Sequence, residues 1–105
     1  MEDLYQELIQ IIEEELQEKG KEYTLGKFTG LGWRFPEGEN GVPKISLKKY
    51  EKTVNLYLFP TENGEPLLAK YEKVFKNSNI GKGCLRIKKL DEEKATTIRL
   101  LLHKS

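Results

Sequence analysis

The stretch 77–90, N-S-N-I-G-K-G-C-L-R-I-K-K-L, gathers the residues of this chain that could do chemistry. It holds the only cysteine, two closely spaced glycines and four basic residues. Gly81-Lys82-Gly83 could offer backbone N–H groups and a lysine to an anion, because glycine lets the main chain approach closely. It lacks the G-x-x-x-x-G-K-[ST] spacing of a nucleotide-hydrolase phosphate loop, and the ordinary role of such glycines is a turn feeding a strand. The alternation that follows puts Cys84, Arg86 and Lys88 on one sheet face, with Lys44, Lys48, Asn55 and Tyr57 as neighbours if the strands pair. Lys82, Arg86, Lys88, Trp33 and Tyr57 are therefore the candidate residues for an anionic ligand or protein partner. Cations interleaved with Tyr57, Trp33 or Phe59 could also hold single-stranded nucleic acid by charge and stacking. A net charge of +1 and a pI near 7.8 argue against that partner. The ordinary role of the whole face is the wet side of a half-covered sheet.

Two further constellations bear on chemistry. Lys82 and Arg86 could lower the pKa of Cys84 and make a reactive thiol, although a lone cysteine more often behaves as a small hydrophobe. There is no resolving cysteine, and the one histidine, His103, sits at the far end of the chain, which disfavours a Cys–His pair. One cysteine and one histidine also leave a structural zinc site without ligands; His103 reads as a helix-end cation. Glu7, Glu14 and Glu18 recur at roughly helical spacing and could bind iron or another hard cation through carboxylates. Such a site would be open and weak, and acids opposite an apolar stripe are what a surface helix requires. No catalytic constellation is visible, so the expectation is a non-enzyme without a cofactor, iron being the alternative.

These residues must be positioned by a single domain, residues 1–105. Hydrophobic content of 37% and charged content of 33% fit a soluble, highly charged globule. The acidic, amphipathic N-terminus has no signal-peptide or membrane-span character. The unpaired cysteine suits a reducing cytoplasm. Charge is unevenly laid out: residues 1–43 carry ten acids against four bases, and residues 44–89 carry four acids against eleven bases. Such a split could orient the molecule in a field or pair two copies head to tail as a homodimer; its ordinary meaning is solvated surface.

Periodicity supplies the elements. Leu4, Leu8, Ile11, Ile12 and Leu16 form an apolar stripe predicting a helix over 2–19, with Gly20 as its cap. Glu15 falls near that stripe and needs solvent or a basic partner. Strands are predicted over 27–35, 43–49 and 53–59. Leu31, Trp33 and Phe35 share one face of the first, and Asn40-Gly41 marks a hairpin after it. Pro66 suits the first turn of a second helix, continuing to residue 76. Residues 84–88 form the fourth strand, parallel to its neighbour if that helix crosses the sheet. Asp91 caps a last helix carrying Ala95, Ile98, Leu101 and Leu102. The order α-β-β-β-α-β-α predicts an α+β two-layer sandwich: a four-stranded, largely antiparallel mixed sheet with helices on one face.

Three segments, G-K-F-T-G-L-G-W-R-F-P, V-P-K-I-S-L-K-K-Y-E-K-T-V-N-L-Y-L-F and G-K-G-C-L-R-I-K-K-L-D-E-E-K, resemble the YdhG-like domain family of unknown function. The resemblance covers roughly residues 26–102 and is most specific over 81–90. It implies the same helix-plus-sheet sandwich. Some members of that family are described as frataxin-like iron chaperones, which is the basis of the iron alternative on Glu7, Glu14 and Glu18. The family offers no catalytic set to lay on these residues.

Overall fold

A computed structural model describes residues 1–36, 42–76, 79–81 and 83–105. The chain begins with α1 (Glu2–Leu16), β1 (Lys21–Leu25), β2 (Phe28–Trp33), β3 (Ile45–Lys49) and β4 (Val54–Tyr57). A small hairpin, β5 (Thr61–Glu62) and β6 (Glu65–Pro66), leads into a 3-10 turn (Leu68–Tyr71) and α2 (Glu72–Phe75). Then come β7 (Cys84–Ile87) and α3 (Glu92–His103). Strands β1-β2-β3-β4-β7 form one sheet with helices on one face, the expected α+β layering.

That layering follows from one-sided burial. Leu8, Ile11, Ile12 and Leu16 of α1 and Ile98, Leu101 and Leu102 of α3 close over Trp33, Ile45, Leu47, Val54, Leu56, Leu85 and Ile87. The 3.6-residue stripe of the helices meets the two-residue alternation of the strands. Asp91 caps α3 as expected, its Oδ1 accepting from the Lys94 N–H at 2.8 Å.

Five strands, rather than four, make the sheet, and all pair antiparallel. The extra strand is β1, whose K-E-Y-T-L is mostly exposed because it lies at the sheet's edge. A two-residue loop joins it to β2, with Gly26 at φ +62°, a conformation glycine adopts without strain. The last strand is antiparallel, not parallel. The backbone N–H of Leu58, just past β4, donates to the carbonyl of Gly83, just before β7, at 3.1 Å. The chain thus returns to the end of the sheet it left, and the short helical segment between never crosses it.

Other boundaries move for local reasons. Helix α1 stops at Leu16 because Gln17 takes the left-handed conformation (φ 54°, ψ 44°). Glu13 then captures the Gly20 N–H at 2.8 Å. Gly20 is not the cap; a Cβ there would stand 2.8 Å from both Leu31 and the Trp33 ring. Arg34, at φ 60°, breaks the alternation of β2, so Phe35 turns to the side opposite Leu31 and Trp33 and meets Tyr23. Pro66 lies in β6 rather than in a helix; Asn63 and Gly64 (φ 54° and 80°) form the hairpin turn before it. The Asn40-Gly41 turn falls outside the described residues.

Glu15 finds its basic partners on α3. It accepts from Arg99 Nη1 at 2.7 Å and lies 2.6 Å from His103 Nε2. Arg99, and after it His103, hold the Glu15 carboxyl below the ordinary glutamate value of 4.5. A depressed carboxyl contributes stability that is present above the unfolded-state value and is lost as pH falls through the folded one. Glu15→Gln should lower the melting temperature at pH 7 and flatten its decline below pH 4.5. An acid limb that superimposes on the parent's would show that the clasp contributes nothing.

Candidate anion-binding surface

The surface is built where β7 joins the sheet. Gly81 N–H donates to the Cys84 carbonyl at 2.8 Å, and Ile80 makes an isolated bridge with Leu85. Register then places Cys84 opposite Tyr57 and Arg86 opposite Asn55, all facing away from the helices. Of the five sequence-derived binding residues, this brings Tyr57 and Arg86 to one face. Lys82 lies outside the described residues. Trp33 is a correction: it is fully buried on the helix side, paired with Ile45, and its Nε1 donates to the Glu18 carbonyl at 3.2 Å. Its indole lies across the sheet from Tyr57 because the two differ by one step of the pleat. Lys88 lies just beyond the end of β7 and is exposed.

Arg86 and Lys88 come together at the outer edge of β7. They line a pocket of about 390 Å³ with Lys76, Lys89 and Lys94, beside Asn79, Phe75 and Ile87. The volume lies in the range of small-ligand sites. Five of its eight lining residues are cations and none is an acid. Among the described residues, Lys76, Lys88, Lys89 and Lys94 make no ion pair. Lys76 and Lys94 escape sequence reasoning because they come from the end of α2 and the start of α3; only the fold joins them to 86–89. Lys89 was legible as part of the basic run.

The helix-free face beside this pocket is aromatic. Tyr23 and Phe28 lie 5.6 Å apart between centroids, and Phe28 meets Tyr57 edge-on at 5.6 Å. Lys48 Nζ stands 5.0 Å from the Phe28 centroid and 5.4 Å from that of Tyr50, within cation–π range. Glycines provide the floor. A Cβ on Gly30 would approach Phe28 to 3.0 Å, and one on Gly32 would approach Pro43 to 2.5 Å. Ser46 is covered on this face and nearly inaccessible. Gly32→Ala should therefore cost about 1–3 kcal/mol by overpacking, read by urea denaturation; an unchanged midpoint would mean that the cover shifts freely.

Burial first, and then the hydroxyl contact with Tyr50 at 3.2 Å, push the Tyr57 phenol up to about 12. Burial raises Tyr23 too, against the opposing effect of Ser46. For Cys84 the expected direction is reversed: burial pushes the thiol up, and Arg86 only partly offsets it. A raised tyrosine contributes stability that is complete below the unfolded-state value of 10 and lost as pH climbs towards about 12. Absorbance titration should show a phenol ionisation step near pH 12 that Tyr57→Phe removes. A variant whose titration curve keeps that late step would contradict the assignment.

The acidic candidates are divided between two neighbouring hollows of the helix layer. Glu14 pairs with Arg99 at 3.2 Å, whereas Glu18 lies beyond the end of α1 and accepts from the Arg34 N–H at 2.8 Å. Glu7 lines a shallow hollow with Glu14, Asp91 and Glu92, and Glu14 lines a second hollow with Glu13 and Glu18. Among the described residues, no group of three or more His, Cys, Asp or Glu is placed to hold a metal ion. Cys84 faces away from the helices while His103 is bound to Glu15 within the helix layer, so the two do not meet. Among the described residues, no helix is long and apolar enough to cross a membrane.

No family model, curated protein or solved structure matches the chain. The fold and this surface define a small α+β domain with a basic edge pocket beside an aromatic sheet face, and the YdhG-like resemblance rests on the three quoted segments alone.

Proposed function

We propose that this domain is a non-enzymatic binding module that takes an anionic ligand or partner at the edge of β7. The observation that supports this is the pocket in which Arg86 and four lysines, the latter without ion pairs among the described residues, converge with no carboxylate in its lining. Like charges held within a Debye length, about 8 Å at physiological salt, repel one another. A multivalent anion removes that repulsion and gains charge-assisted hydrogen bonds, with Arg86 suited to a two-oxygen grip on phosphate or carboxylate. Asn79 adds a neutral polar group to the wall, although its Nδ2 is already directed at the Phe75 carbonyl at 3.0 Å. The reading favours binding over thiol chemistry because Cys84 is half-buried with a raised pKa.

Inorganic tripolyphosphate is a suitable probe. At a hundred times its Kd it should stabilise the domain by about 2.7 kcal/mol, seen as a higher melting temperature than in sodium chloride of equal ionic strength. The double variant Lys88→Glu/Lys94→Glu changes only side chains at the pocket wall, so it should melt like the parent without the anion and show no shift with it. Equal shifts in parent and variant, or none in the parent, would sink the proposal.

A further inference from the structure

The helix-free face and the edge pocket share Arg86, which lies opposite Asn55 in the sheet and also lines the pocket. By register, the strand residues on that face include three cations, Lys21, Lys48 and Arg86, and no acid. The other prominent side chains on it are rings and, at the β1 edge, the exposed Leu25. Phe59, just past β4, is 66% exposed and lies against Gly83, where a Cβ would come within 2.2 Å of it. Tyr50, at the far end of β3, is 40% exposed. Five strands at about 4.8 Å spacing give a platform roughly 19 Å wide.

Building on the proposed anion site, we infer that the partner is single-stranded nucleic acid, with phosphates in the edge pocket and bases stacked on the rings of the helix-free face. The combination of cations and rings on one surface favours that class. A small anion needs cations but no rings, and an apolar protein segment needs rings but no cations. A single strand presents both at every residue, and stacking accepts any base. The modest net charge of +1 is no obstacle. The acids of α1 belong to the helix layer on the other side of the sheet, and association responds to the local field. A second copy docked through the same face would bring together two surfaces whose strand residues carry cations and no acid, which disfavours that occupant.

The test uses fluorescence anisotropy with the whole chain and three probes: oligothymidylate of about fifteen nucleotides, an abasic strand of equal length, and a duplex of the same length. Oligothymidylate should bind best, with affinity falling steeply as salt rises. Phe59→Ala and Tyr50→Ala, each at an exposed ring, should weaken it between about fivefold and a hundredfold while leaving the abasic strand unchanged. Lys88→Glu/Lys94→Glu should weaken both strands. If thymidylate and abasic strands bind alike and the ring variants do nothing, the stacking inference falls while the anion site stands. If no strand binds although tripolyphosphate does, the nucleic-acid partner is overturned alone. If neither binds, both readings fall. Tighter binding to duplex, or self-association in sedimentation that the ring variants abolish, would also overturn it.

Discussion

Gly30, Leu31, Gly32 and Trp33 put all their bulk on one face of β2. Trp33 fills the space beneath the helices, and Gly20 lets the chain leaving α1 pass against the indole. On the reverse side the two glycines leave a trough into which Phe28, Phe35 and Pro43 fold. Both layers therefore depend on the same four residues. A side chain at either glycine would lift the cover, and a smaller residue at Trp33 would hollow the core. The rings are held against the sheet by sterics, which is why they remain half-buried and interlocked rather than free to collapse.

Electrostatics follow from the layering. Acids of α1 are engaged on the helix side: Glu14 and Glu15 with α3, and Glu2 with Lys49 at the end of β3. The lysines at the β7 edge have no comparable partners among the described residues. Near-neutral net charge thus conceals two sides of different character. Summed charge is a poor guide to this molecule because the sheet lies between the two sides.

Much of this was legible in the residues. The stripe of α1, the alternation of β3 and β4, the Asp91 cap and the helices-on-one-face layering all come from spacing. What was lost was lost where one residue departed from its local pattern. Arg34 adopts a left-handed backbone, and Phe35 changes sides; nothing in its residue type announces that. Strand β1 is an edge with few buried side chains, so it carries little hydrophobic signal. Pro66 fits a helix start and an edge strand equally well, and it is the Asn63-Gly64 turn that decides between them. For the surface, the cations of 86–89 were visible as a run. Lys76 and Lys94 join them only through the third dimension, and Trp33 departs from its expected place because an aromatic on a strand says nothing about which face will be buried.

Strand β7 ends the sheet, and beyond the bridge to Ile80 its outer rim is a row where another strand could add. Arg86, Lys88 and Lys89 stand along that rim. Charged side chains at an edge oppose edge-to-edge pairing between copies, so the cations of this rim disfavour strand addition by a second copy. Neutral residues at the rim would leave that row open to edge-to-edge association, so its charge bears on solubility whatever else it does.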